Sequence, residues 1–375
     1  MPLLLQIVGS DMGNPYLRDG VDIYVTSSND GLNDVTFVFL STRKRIHLKI
    51  RDYLLSTLPL MNGDNSIDYL QSQSGASRDR LNKFIEYLEY HGIVVPENWI
   101  DQIPLDRDYK KMLEKQLYFL LDILNTPDSV YKLQKKIKDT SVAIVGVGSI
   151  GSWILIELIQ MGFEKFKLFD FKQLREDSIA RHALFDSTMI GKDKSCFYTE
   201  LGKKINPNIE IEGKSLSLTT DRSFLDFLSD VDIIVNCADD PYIGYSSIFL
   251  SRYAINKEKL LFVAGGFDAH LGCLGELIVP YKTPCADCYN EYFRESLKDW
   301  KPAPHPVKDR VKGFGGLASL SAFSASAGCL QILRYFIDEA AFFEEASGRG
   351  EFKFDDYSID RFEVPRNTNC EVCGE

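Results

Sequence analysis

Residues 142–153 read VAIVGVGSIGSW, an apolar run, a glycine-rich turn and the start of a second apolar run. This stretch limits the possible folds more than any other. The residues before the first glycine suit a strand buried on both faces. The three glycines then have separate physical tasks. Gly146 permits a tight turn, Gly148 lets the backbone approach a phosphate, and Gly151 lets a helix pack closely on the strand. The helix opening at this turn presents free N–H groups to an anion. The next apolar run, FKLFD, ends in Asp170, where a carboxylate can accept hydrogen bonds from ribose hydroxyls. The pattern predicts a βαβ unit that holds a nucleotide, and it leaves open which one.

The same rhythm continues downstream. GKDKSCFYTELGKKI and PYIGYSSIFLSRYAINK read as helices, and VDIIVNCA and LLFVAGG as strands. Residues 141–375 are therefore expected to form a doubly wound, Rossmann-like parallel sheet. Upstream, DVTFVFLS and RIHLKI alternate apolar and polar residues as short half-buried strands do. Three helical segments follow, the last with Leu81, Phe84, Ile85 and Leu88 at helical spacing and Gly92 as its stop. Residues 1–100 thus read as a small α+β domain. The lysine- and leucine-rich stretch 101–140 reads as a helical linker, with Pro127-Asp128-Ser129 as a break and N-cap.

A length of 375 residues, 45% hydrophobic and 26% charged, fits an ordinary globular protein with more than one core. A net charge of −11 gives no bulk attraction for nucleic acid or an anionic membrane. The start, MPLLLQIVGSDMG, lacks a basic leader and a small-residue cleavage site. No later run approaches the ~18 apolar residues of a membrane span. A soluble, cytoplasmic protein is expected.

The charged residues after the glycine turn favour ATP over NAD. Arg181, Lys194 and Asp239 lie in DSIARH, GKDK and NCADDP. Hydride transfer has no general need for two cations and a carboxylate around the phosphates. Adenylyl transfer needs cations to offset developing charge and a carboxylate to hold Mg²⁺. Lys194 taken singly would pass for a surface lysine. Asp239 follows the apolar strand VDIIVNCA, where open α/β sheets place their ligands.

Four of the eight cysteines form two CxxC pairs, Cys285 with Cys288 and Cys370 with Cys373. Thiolates at this spacing can share one tetrahedral Zn²⁺ with no open position, so a structural zinc is expected. Cys196 and Cys237 lie in apolar patterns, where buried packing is expected instead of a nucleophile. Gly313-Phe314-Gly315-Gly316 reads as a substrate-side loop or a plain surface loop.

Taken in order, GVGSIG, Asp170, Arg181, Lys194, Asp239 and the two CxxC pairs resemble the ubiquitin-activating-like (ThiF/MoeB-type) adenylyltransferases. The resemblance implies that Asp170 binds the ATP ribose, Arg181 and Lys194 the phosphates, and Asp239 the Mg²⁺. It also implies a homodimer whose partner subunit supplies a cation, for which Arg107, Lys110 and Lys111 are the candidates. Ser178 stands where the family commonly carries Asn, which implies an altered contact with the α-phosphate. Lys172 replaces a second acidic residue. The N-terminal module resembles the winged-helix-like leader-peptide recognition elements of ribosomal peptide natural-product pathways. In combination the chain is similar to maturation enzymes of the microcin C type, which activate a peptide's C-terminal residue. It is also similar to those of the pantocin A type, which activate glutamate side chains, and these two departures incline the reading toward the latter. A carrier-protein adenylyltransferase, a catalytically silent peptide-presenting scaffold and an NAD oxidoreductase stay open.

Overall fold

The computed structural model describes residues 14–27, 30–218, 222–240, 242–264, 272–299, 316–345 and 349–374. They form two compact units that divide between Lys135 and Lys136.

The first unit opens with β1 (Pro15–Leu17), β2 (Val21–Thr26), β3 (Leu32–Phe39) and β4 (Arg45–Arg51). Strands β2, β3 and β4 make a three-stranded antiparallel sheet in that order. Alternation along β3 turns Val35, Phe37 and Phe39 inward. A short α1 (Asp52–Leu55) leads to α2 (Ile67–Ser74) and α3 (Arg78–Tyr90). Helix α3 buries Leu81, Phe84, Ile85 and Leu88 against the same core, as their spacing predicts. It stops at His91, and the Ile93 N–H turns back to donate to the Leu88 carbonyl at 2.8 Å. Next come β5 (Val94–Pro96), which pairs with β1, then α4 (Trp99–Gln102) and α5 (Arg107–Leu124), and α6 (Pro127–Asp139) runs across the division.

Helix α5 is part of this unit's packing. It buries Leu113, Leu117, Leu120 and Leu121, and its buried Asp122 pairs with Arg18 and accepts from the Ser41 hydroxyl. The cap of α6 is Thr126, and Pro127-Asp128-Ser129, expected as the break and cap, forms its first turn. Thr126 Oγ1 accepts from the Ser129 N–H at 3.3 Å, and Pro127 is the first helical residue. Proline has no N–H to lose there, and its fixed φ suits the first turn.

The second unit holds β6 (Ser141–Val145), α7 (Gly151–Gln160), β7 (Lys165–Phe169), α8 (Lys194–Ile205) and β8 (Glu210–Lys214). These are followed by α9 (Arg222–Phe227), β9 (Ile233–Asn236), α10 (Ile243–Asn256), β10 (Leu260–Val263), β11 (Gly272–Ile278) and α11 (Ala286–Ser296). The chain continues with α12 (Ala318–Ile337), α13 (Glu339–Glu345), β12 (Arg349–Phe352) and β13 (Ile359–Phe362). The sheet has eight strands in the order β13-β12-β11-β10-β9-β6-β7-β8. From β8 to β10 neighbouring strands are parallel, and from β10 to β13 they are antiparallel. The core is thus doubly wound, as expected, but one side extends into an antiparallel edge. Strand β6 lies between β7 and β9, so the chain's path reverses there, and a crevice opens beyond the ends of these three strands.

Helix α12 is 20 residues long and apolar enough to cross a membrane by length and composition. Ser319, Ser321, Ser324 and Ser326 interrupt its apolar run. In the structure Ala325, Gly328, Cys329 and Ile332 are buried on this helix, and Ser326 donates to Glu157 of α7 at 2.7 Å.

Candidate nucleotide cleft and thiolate cluster

The glycine turn leaves β6 with Gly146 at φ +90°, a conformation that favours glycine, and its N–H donates to the Phe169 carbonyl at 2.8 Å. A Cβ on Gly151 would meet the Gly146 carbonyl oxygen at 2.1 Å, so the start of α7 approaches the strand as only glycine permits. Gly148 has open space where a side chain would stand, and it lines the cleft. An anion can therefore reach the turn's backbone.

Asp170 follows β7 and is only 8% exposed. Its Oδ2 accepts from the Val147 N–H at 2.9 Å and its Oδ1 from the Lys172 N–H at 2.8 Å. The carboxylate pins the glycine turn, and an ionised carboxylate has about four lone-pair sites, so it retains capacity for ribose hydroxyls.

Two contacts from the start of α7 hold the segment carrying Arg181. The Trp153 Nε1–H donates to the Arg181 carbonyl at 3.3 Å, and the Ser152 hydroxyl accepts from the Ala183 N–H at 3.1 Å. The Arg181 guanidinium is half-exposed and pairs with Asp177 at 3.2 Å. Lys194 opens α8, and burial lowers its pKa while the Asp170 charge opposes that shift. Arg181, Lys194 and Asp239 all line the cleft with Gly146, Gly148 and Asp170. Residues far apart in sequence thus converge on one cavity.

His182, Lys172 and Asp240 also line it. His182 is buried, and its Nδ1 has no hydrogen-bond partner among the described residues. Burial, and then the Lys194 and Arg181 charges, pull its pKa down to about 3, which keeps the ring neutral. Lys172 sets its Nζ 3.5 Å from Asp239 Oδ1 and 3.4 Å from Asp240 Oδ2. In the sequence, only adjacency to Arg181 and Asp239 pointed to His182 and Asp240, whereas Lys172 stood out as the replacement of a second acidic residue.

Other candidates lie elsewhere. Ser178 is 2% exposed, and its Oγ accepts from the Arg175 N–H at 3.1 Å, closing a local turn. Arg107, Lys110 and Lys111 sit on α5 in the first unit. Lys110 is buried and donates to the carbonyls of Asp101 at 2.9 Å and Ile103 at 3.2 Å, whereas Arg107 and Lys111 are exposed. Gly313, Phe314 and Gly315 lie outside the described residues. Cys196, expected to be buried, is exposed on α8, because its place in the helix turns it outward. Cys237 lines the cleft, and burial pushes its thiol well above the usual range, which leaves it a poor nucleophile.

The four paired cysteines meet at the start of α11. Their Sγ atoms all lie within 4.8 Å of one another, with Cys285 3.8 Å from Cys288 and 3.6 Å from Cys370, and Cys288 3.5 Å from Cys373. A tetrahedron of Zn–S bonds of ~2.3 Å has sulfur edges of ~3.8 Å, so the cluster could hold a zinc ion. Arg252 clamps Asp287 between two of the ligands with contacts of 2.6 and 3.2 Å. Arg366 donates to the Cys373 carbonyl at 2.5 Å and steadies the tail.

The ThiF family matches residues 122–372. The adenylyltransferase and sulfurtransferase UBA4 of Kluyveromyces lactis is 24% identical over 248 residues, 64% of this chain and 52% of that protein. The ubiquitin-like modifier-activating enzyme 5 of Drosophila simulans is 31% identical over 200 residues, 49% of this chain and 47% of that protein. The chain spans about half the length of these curated relatives. Among solved structures, E. coli MccB with ATP superposes with a TM-score of 0.68 at 18% identity, covering 96% of this chain and 99% of that one. The microcin C7 biosynthetic enzyme MccB in complex with N-formylated MccA gives 0.67 at 18% identity and the same coverage. PaaA gives 0.67 at 16% identity, covering 92% of this chain and 99% of that one. These likenesses establish a shared fold across almost the whole chain.

Proposed function

The chain belongs to the ThiF family, and from that membership we propose that it is an ATP-dependent adenylyltransferase acting on a carboxylate of a ribosomally made precursor peptide. The observation that carries this reading is the convergence of the glycine turn, Asp170, Arg181, Lys194 and Asp239 on one cleft. A site for hydride transfer would leave the two cations and Asp239 without a common purpose. Similarity to MccB, solved with ATP and with MccA, supports nucleotide use and a peptide substrate.

A peptide carboxylate oxygen attacks the α-phosphorus of ATP, the bond to the pyrophosphate oxygen breaks, and acyl-adenylate and pyrophosphate result. Asp170 orients the ribose, and the backbone at Gly148 and the N-terminus of α7 receive the phosphates. Arg181 and Lys194 offset the charge that builds in transfer, each contributing about 3 kcal/mol in a closed site. Asp239 and Asp240 offer the oxygen ligands that suit Mg²⁺, which when bound neutralises phosphate charge. No general base is needed, since the attacking carboxylate is already ionised at neutral pH. Zinc at the four thiolates has no open position, and its role is to fasten the C-terminal tail.

The leader of the peptide binds the first unit by adding a strand to an edge of the β2-β3-β4 sheet, a mode that relies on main-chain hydrogen bonds. Strands β2 and β4 are its edges, and β2 exposes Tyr24 and Val25. The enzyme works as a homodimer in the cytoplasm, with Arg107 or Lys111 of a second copy as the added cation. In its finer form, the activated groups are glutamate side chains and an internal nucleophile then displaces AMP, giving cyclisation or condensation of the pantocin A type. Activation of the C-terminal residue, the microcin C type, is the second reading, favoured by the whole-chain likeness to MccB.

Pyrophosphate exchange with labelled pyrophosphate and precursor peptide tests the reaction. Peptide-dependent exchange is expected, and its absence overturns the adenylation reading. Amidating the peptide's C-terminus abolishes exchange only in the second form, and replacing its glutamates by glutamine abolishes it only in the first. Asp239→Ala is expected to lose exchange while keeping leader affinity.

A further inference from the structure

Lys172 stands where two anionic side chains need a cation. Its Nζ lies within 3.5 Å of both Asp239 and Asp240, and these carboxylates are 85% and 51% exposed, so solvent and ions reach them. The root of the lysine is fixed, because its N–H donates to Asp170 Oδ1 at 2.8 Å and its carbonyl accepts from the Lys194 N–H at 3.2 Å. Its four-carbon stem is flexible. Its side chain lines the same cleft as Arg181 and Lys194. A divalent cation on the two carboxylates would displace a singly charged ammonium, and the freed ammonium would lie among the groups that face the phosphates.

We infer that Lys172 is a placeholder cation: it holds Asp239 and Asp240 until a divalent metal arrives, and then moves to the phosphates of the nucleotide. This rests on the reading that the cleft binds ATP with a metal at Asp239. Lysine and metal therefore compete for the same carboxylates, whereas lysine and nucleotide cooperate. A lysine with no part in the site would leave both equilibria unchanged, and a lysine fixed in the ion pair would oppose the metal without helping the nucleotide.

The test uses the full chain and its Lys172→Met and Lys172→Arg variants. Free Mn²⁺ is titrated alone by electron paramagnetic resonance, and the analogue AMPCPP with Mg²⁺ by calorimetry. Lys172→Met is expected to bind Mn²⁺ about fivefold more tightly, since one weak ion-pair competitor is gone, and AMPCPP about fivefold more weakly. Lys172→Arg, which keeps the charge, should stay near the parent in both. Unchanged Mn²⁺ affinity in Lys172→Met overturns the inference, and so does unchanged or tighter AMPCPP binding. A parent chain that binds no AMPCPP overturns the ATP reading itself, and a parent that binds it beside an unaltered Lys172→Met overturns only the role of Lys172. A matched thermal midpoint shows that the variant is folded.

Discussion

The Asp170 carboxylate accepts from the Val147 N–H at 2.9 Å, so the residue that follows β7 fixes the shape of the turn that follows β6. The group proposed to orient the ribose thus also sets the backbone proposed to face the phosphates. Asp170→Asn keeps one carbonyl oxygen but brings an NH₂ toward one of the two N–H donors. Stability should fall by about 1–3 kcal/mol, read by urea denaturation, and AMPCPP affinity should fall with it. Retained stability with lost binding would separate the two roles.

Gly151 and Gly148 should respond differently to alanine. At Gly151 the new Cβ would lie 2.1 Å from the Gly146 carbonyl oxygen, so the backbone has to shift and about 1–3 kcal/mol of stability should be lost. At Gly148 the added methyl meets nothing. Gly148→Ala should leave unfolding within about 0.5 kcal/mol of the parent and weaken AMPCPP binding in calorimetry.

The thiolate cluster should carry one zinc per chain. Cys373→Ser is expected to reduce zinc content measured by plasma mass spectrometry, and a chelator should lower the thermal midpoint of the parent more than that of the variant. Full zinc stoichiometry in the variant would contradict a four-thiolate site.

His182 gives the protein a defined acid sensitivity. Its folded pKa of about 3 lies below the ordinary 6.5, so the native ring stays neutral while the unfolded chain takes up a proton. The stability linked to this group is fully present above pH 6.5 and is lost as pH falls toward about 3. The slope approaches about 1.4 kcal/mol per pH unit. Denaturant midpoints measured between these limits should fall less steeply in His182→Gln. An unchanged slope would remove His182 as a source of the acid sensitivity.

In the first unit, Arg18 and Asp122 form a buried pair, 7% and 8% exposed. Asp122→Ala leaves the guanidinium buried without its anion and strips the Ser41 hydroxyl of its acceptor. A loss of about 3–5 kcal/mol is expected, seen as a lower unfolding transition of this unit in calorimetry.

Local chemistry was legible in the sequence. The spacing of Gly146, Gly148 and Gly151 specifies a strand, a turn and a helix because each task excludes a side chain within a few residues. The two CxxC pairs likewise announce a tetrahedral cluster, since thiolates at that spacing can share one ion. The α3 face of Leu81, Phe84, Ile85 and Leu88 is a periodicity, and periodicity is local. Strands β11 to β13 and the long α12 were not legible. The edge strands follow no βαβ rhythm, and the serines of α12 mask a helix that still buries Ala325, Gly328 and Ile332.

The sequence by itself determined a glycine-rich turn on a buried parallel strand, because sterics and backbone conformation there depend only on neighbouring residues. Only the tertiary structure decided which charges meet at that turn. Lys172 follows β7 and Asp239 follows β9, and these strands flank β6 on opposite sides. Their side chains therefore come within 3.5 Å although 67 positions apart. Strand order, a product of how the whole sheet packs, sets that distance, and no local pattern encodes it.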